Sequence, residues 1–156
     1  MPPITDSQIE EGIVRQGAVV SGLVPFYLPG PDIRHIEYKN EGVNVVCVDP
    51  YSLSQGDPID IVVEGVPRDA LIVSQTCDII NRDTVCVAPI KHFDELAESK
   101  PELPNIIRKH RVLWAFYLEK LAMEEYPEAY ADLSQLCTVG KDILRQCTIV
   151  RYPSSG

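Results

Sequence analysis

A thiol stands directly beside a carboxylate at Cys77-Asp78, within the polar segment Ser74-Gln75-Thr76-Cys77-Asp78 that separates two strongly apolar runs. A cysteine nucleophile acts as its thiolate and needs a base or a positive neighbour to lower its pKa. An adjacent Asp does the reverse unless it turns away to orient a histidine, and the chain offers His35, His92 and His110. His92 follows the next apolar run, so Cys77, Asp78 and His92 are the residues a cysteine-dependent hydrolase would use. A second chemistry draws on the same donors. Cys77 and Asp78 with one or two of His92, His110 and Cys86 would suit zinc, although ligands scattered singly along a chain give no spacing signature. A third reading is structural: Asp78 and Asn81 bond to nearby backbone amides, Gln75 and Thr76 satisfy the same loop, and the segment is a polar turn between two strands. Cys86, alternating with Val85 and Val87, then reads as a core residue.

The elements that must position these residues are mostly strands. "ALIVS" and "TVCVAPI" are apolar on both faces, as central strands are, and "GVNVVCVDP" reads as a buried strand ended by Asp49-Pro50. "IDIVVEG" has the period of a strand with one wetter face, "QGAVVSGLVPFYL" one or two short strands, and "PGPD" a turn. Four to five strands therefore crowd between Val43 and Ile90 with no helix among them, which indicates a curled sheet or small barrel. Thr5 or Ser7 caps a short helix at the start, and Asp94 to Glu98 form another of one or two turns. Ile106, His110, Leu113, Tyr117 and Leu121 recur at helical spacing, so a helix is expected from near Asn105, although "RVLWAFYL" would also serve as a strand. "AYADLSQLCTV" and "CTIVRY" read as short strands and residues 153–156 as a frayed tail. Residues 1–156 form a single expected domain of mainly β class with one or two terminal helices.

A net charge of -9 argues against a general nucleic-acid-coating role, since phosphate is held by Lys and Arg. The one dense cationic run is Ile107-Arg108-Lys109-His110-Arg111, read as solvated surface. Five cysteines without a CxxC pair make neither a disulfide framework nor a zinc ribbon, and no apolar stretch is long enough to span a membrane. A cytoplasmic location is the expectation, with no cofactor. Gln55 to Pro58 lack the glycines and the Lys-Ser/Thr of a phosphate loop. Trp114, Phe116 and Tyr117 are expected to pack inward, and Glu124, Glu125, Glu128 and Asp132 to be solvated.

The stretch "GDPIDIVVEGVPRDALIVSQTCDIINRDTVCVAPI" resembles the core of PemK/MazF-type small β-barrels. Those have a Gly-Asp-led strand, an Arg-containing turn before an apolar strand ending in Ser, and a strand ending in apolar-Pro-apolar. It is also similar to uncharacterised bacterial and phage proteins that carry a Ser-Gln-x-Cys-Asp segment between two such strands. The first resemblance implies a small PemK/MazF-like barrel and sequence-selective endoribonuclease activity, with Arg68 matching the arginine that stabilises the transition state. The chain departs from the pattern where those toxins carry a Thr or Ser, having Lys91-His92 instead. The function expected is a non-catalytic bacterial or phage interaction module, tied by the resemblance to toxin-antitoxin or defence loci. Exposed strand edges and an acidic surface favour a protein partner over nucleic acid and would suit a homodimer. The alternative is an enzyme, a ribonuclease using Arg68 or a hydrolase centred on Cys77.

Overall fold

The structure is a computed structural model, and it describes residues 2–25, 33–39, 42–48, 56, 60–63, 65–97, 100–120 and 126–152. In chain order the elements are α1 (Asp6–Glu10), β1 (Val19–Leu23), β2 (Ile33–Lys39), β3 (Gly42–Val48), β4 (Ile61–Val62), β5 (Arg68–Ile72), α2 (Thr76–Asn81) and β6 (Thr84–His92). They continue with α3 (Asp94–Ala97), α4 (Leu103–Arg108), β7 (Ala115–Leu118), β8 (Ala129–Asp132), β9 (Cys137–Gly140) and β10 (Thr148–Arg151), with 3-10 turns at Leu133–Gln135 and Lys141–Gln146. The protein is mainly β, as its apolar alternation requires. Two compact units divide the chain: Met1–Pro25 with Pro67–Gly156, and Phe26–Val66.

The larger unit is built on an antiparallel sheet in the order β10-β1-β5-β6-β8-β7, with β9 also paired to β6. β5 and β6 are central, as their two-faced apolarity predicts. Residues opposite one another in an antiparallel pair share a face, so the registers Ala70↔Pro89 and Ile72↔Val87 place Ala70, Ile72, Val85 and Val87 together. That face packs against Ile9 of α1, Ile79 of α2 and Leu144. Leu71, Ala88 and Ile90 point the other way and cluster with Val19, Leu118 and Ala131. A third cluster, Phe93, Ile107, Ala115 and Tyr130, joins α4 to β7 and β8. Pro89 lies between the β9-paired part of β6, which ends at Val87, and the β8-paired part, which begins at Ile90. There its missing N–H interrupts no continuous ladder. Gly22 takes φ +101 in the irregular part of β1, and a Cβ there would meet the Gln146 carbonyl oxygen at 3.3 Å. At the end of β1, Leu23 is the cross-strand partner of Arg68.

The expected barrel closure is absent: among the described residues the terminal strands β10 and β7 do not pair, and the sheet is open. Other expectations also shift. The segment read as a polar turn is the helix α2, anchored by buried Ile79 and by an Asp78–Arg82 pair one turn apart. Near Asn105 the helix is short. His110 adopts φ 50, the helix stops, and the aromatic stretch that follows becomes β7 with Tyr117 opposite Tyr130, β-propensity prevailing over helical spacing. Trp114 and Phe116 are exposed because β7 is the last strand of the sheet. At the start, Thr5 and Gln8 form the expected capping box, β8 and β10 fall within the stretches read as short strands, and β9 runs one residue beyond its stretch to Gly140. The turn expected at 29–32, residues 49–55, Glu124, Glu125 and the tail 153–156 lie outside the described residues.

The smaller unit contains a three-stranded antiparallel sheet in the order β3-β2-β4. β2 has no clean period of two, and its pairing with β3 over all seven residues supplies what the sequence pattern lacks. β3 was expected to be buried. It is the edge of a three-stranded ladder, and Val43 and Val45 are 59% and 55% exposed.

Ile79→Ala should lower the unfolding free energy by about 2–5 kcal/mol, the range for truncating a buried aliphatic residue. Ile80→Ala, at a partly exposed neighbour, should stay within about 0.5 kcal/mol. Urea unfolding of the two variants measures the difference, and equal losses would contradict the packing of α2.

Candidate functional site

Cys77 is exposed on α2, and its Sγ donates weakly to Gln75 Oε1 at 3.7 Å. Asp78 is engaged by its own helix, accepting from Arg82 Nε at 3.0 Å, while Asn81 Nδ2 donates to the Cys77 carbonyl at 2.7 Å. Just before α2, the Ser74 hydroxyl accepts the Cys86 N–H at 2.8 Å, so the helix is moored to the first half of β6. Six residues of strand, roughly 20 Å at the usual rise, separate that mooring from His92. Cys77 and His92 are therefore not brought together. Cys86 is half-buried in β6, and burial pushes its thiol pKa up. Among the described residues no three His, Cys, Asp or Glu side chains are grouped to hold a metal ion.

Arg68 and His92 do meet, at the end of the sheet where β5 begins and β6 finishes. Arg68 donates to both Glu95 carboxylate oxygens at 3.0 Å, and Glu95 Oε1 accepts the His92 backbone N–H at 3.3 Å. Beside them Tyr126 donates to Asp69 Oδ2 at 2.8 Å and its ring lies 6.0 Å from that of His92. Burial first, and then the bond to Asp69, push the Tyr126 hydroxyl well above the usual tyrosine range. His92 Nδ1 is buried and has no hydrogen-bond partner among the described residues. Lys91 Nζ donates to Asp132 Oδ2 at 2.7 Å. Burial alone would raise the Asp132 carboxyl, but Lys91 and two bonds from Ser134 outweigh it and hold the pKa below its ordinary value. Asp132, expected to be solvated, is only 4% exposed. Glu128 is likewise paired, accepting from Arg108 at 2.6 and 2.7 Å and from the Tyr117 hydroxyl at 2.6 Å. Sequence reasoning missed Glu95 and Tyr126, because nothing in their spacing announces contacts across the sheet.

Apart from His92 Nδ1, these groups satisfy one another. Arg68 is committed to Glu95, so an RNA phosphate would have to displace a carboxylate held by two bonds. The arrangement acts as a set of tethers joining strand ends to α3, the 3-10 turn after β8 and the segment before it.

The smaller unit presents a different kind of surface. The registers Tyr38↔Val43, Ile36↔Val45 and Arg34↔Cys47 place those residues on one face of its sheet. Val62 of β4 joins them opposite Arg34, and Asp60, two residues earlier, falls on the same face. Tyr38 is 70% exposed. Its hydroxyl is hydrogen-bonded to Asp60, whose negative charge is the first cause of a raised tyrosine pKa. Apolar side chains thus form a continuous exposed platform with a carboxylate at its margin. The unit carries seven acidic residues against two Lys and Arg, more than half of the chain's excess negative charge. Sequence reading placed the valines of β3 in a core because it did not supply β2 as their only described partner.

No family model matches the chain, and neither a curated protein nor a solved structure matches it.

Two measurements follow from this geometry. Iodoacetamide should alkylate Cys77 and Cys47 in the native protein while Cys137 and Cys147 react only after unfolding, as mass spectrometry of the labelled peptides would show. Arg108 holds the Glu128 carboxyl well below its ordinary 4.5, at about 2. A depressed carboxylate contributes stability that is complete above its unfolded pKa and is lost as pH falls through its folded one. Unfolding free energy should therefore decline between about pH 5 and pH 2, and Glu128→Gln should flatten that decline. An unchanged slope in the variant would mean that the pair contributes nothing.

Proposed function

We propose that this protein is a non-catalytic interaction module that binds a protein partner through the exposed apolar face of its three-stranded sheet. The observation carrying this reading is the platform of Tyr38, Val43, Val45 and Ile36, of which the first three are more than half exposed. In the smaller unit, none of the residues whose side chains are described (34–38, 42–47, 56, 60–63, 65 and 66) is buried. A small sheet gains stability chiefly by covering an apolar face, and a contiguous exposed apolar surface rimmed by polar groups is the usual mark of a binding site. The acidic balance of the smaller unit favours a protein segment with apolar side chains and basic flanks over nucleic acid, whose phosphates it would repel. Engagement of Arg68 by Glu95 and of Asp78 by Arg82 supports binding over catalysis. Taken with the resemblance of residues 56–90 to PemK/MazF-type proteins, the partner would belong to a toxin-antitoxin or phage-defence system.

A photo-crosslinking amino acid placed at Val45 tests the reading in the cells that naturally make the protein. Irradiation should give a discrete protein adduct from Val45 and none from Asn44, which lies on the opposite face. No adduct from Val45, or equal yields from both positions, would sink the proposal.

A further inference from the structure

The larger unit carries a surface whose chemistry complements that platform. α4 ends in the chain's one dense cationic run, and the residues that follow are unusually exposed. Leu113 is 97% exposed, and Trp114 and Phe116 beside it are exposed as well. Arg108 is occupied by Glu128, whereas Lys109 and Arg111 form no ion pair among the described residues. The corner is held in shape: His110, at φ 50, sets its ring 6.4 Å from that of Phe116 and 6.1 Å from that of Tyr117. A leucine left exposed a few residues after cations that form no ion pair among the described residues is a poor surface for a solitary molecule, because water surrounds it.

We infer that the occupant of the apolar platform is a second copy of this chain, which inserts Leu113 and Trp114 against Tyr38, Val43 and Val45 while Lys109 and Arg111 face Asp60 at its margin. The inference rests on the binding role proposed above for the platform. Charge decides between the two ways that copies could use it. Face-to-face pairing of platforms would bring together two units that each carry seven acids against two bases, a repulsive arrangement. Platform against corner joins negative to positive and apolar to apolar. Such a contact uses different patches on the two copies. After one contact, one copy keeps an unused corner and the other an unused platform, so association proceeds head to tail and ends in a ring of two or more copies or in an open filament.

The test uses the full chain in sedimentation velocity, from about 1 µM to about 100 µM, where interfaces of moderate affinity become populated. The wild type should grow in mass beyond a single copy, and raising salt from about 0.05 M to about 0.5 M should weaken association roughly tenfold, since exposed charges are screened. Val45→Asp removes the platform and Lys109→Glu with Arg111→Glu reverses the corner; each variant alone should remain a single copy. An equimolar mixture should form a pair of two copies and nothing larger, because only one productive contact remains. Tyr38→Glu and Leu113→Asp provide a second platform and corner variant if circular dichroism shows that either of the first set misfolds. A wild type that stays a single copy throughout, a corner variant that still dimerises, or a mixture that fails to pair would each overturn the inference. If Val45 crosslinks to a different protein while the mixture remains single copies, the inference fails and the binding role of the platform stands.

Discussion

The larger unit depends on β6, the strand that pairs with three others. β5 runs along one edge, and the other is divided between β9 and β8, which meet where Pro89 leaves the ladder without a donor. Both of its faces are covered, so Val85 and Val87 belong to one cluster while Ala88 and Ile90 belong to another. The remaining parts are referred to it in turn. Its first half receives α2 through the Ser74 hydroxyl, and its last residues hold the tethers of Lys91 and His92. A strand buried on both sides has to be apolar almost throughout, and that requirement makes "TVCVAPI" conspicuous in the chain.

The contrast between the units is one of energetics. In the larger, hydrogen-bonded ladders and apolar burial coincide, and conformational entropy is offset mainly by the burial. In the smaller, a seven-residue pairing of β2 with β3 exists with no buried side chain among 34–38 and 42–47. Backbone hydrogen bonds contribute little net stability when their loss would be made good by water. A ladder of this kind therefore has an unmet need for apolar cover, and the alternation of Val43 and Val45 along β3 directs that need to one face.

How much of this was legible follows from which signals are local. β5 and β6 could be read because two-faced apolarity is written into consecutive residues, and the Thr5 and Gln8 cap because its parts lie three apart. α2 was hidden, since its polar run looks like a turn until Ile79 is seen to fill the core. The stretch after Asn105 carries both periods, and the outcome was set by pairing with β8, which begins more than twenty residues later. Candidate residues divided in the same way. Arg68 and His92 converge only because antiparallel pairing places the start of β5 beside the end of β6, and no spacing rule brings Glu95 or Tyr126 to them. Cys77 and His92 flank the same strand in sequence, yet the length of that strand keeps them apart.

Leu23 and Arg68 face each other across β1 and β5, and the whole of Phe26–Val66 lies between them in the chain. In topological terms the smaller unit is an insertion in the connection of a β-hairpin. Lengthening such a connection is thermodynamically mild, since each doubling of a flexible loop adds only about 0.6 kcal/mol to its closure. The scaffold's ladder needs from the inserted segment only that its two ends return to neighbouring positions. The hairpin is thus a socket, whose connection can change in length and sequence while the sheet that carries it keeps its own core.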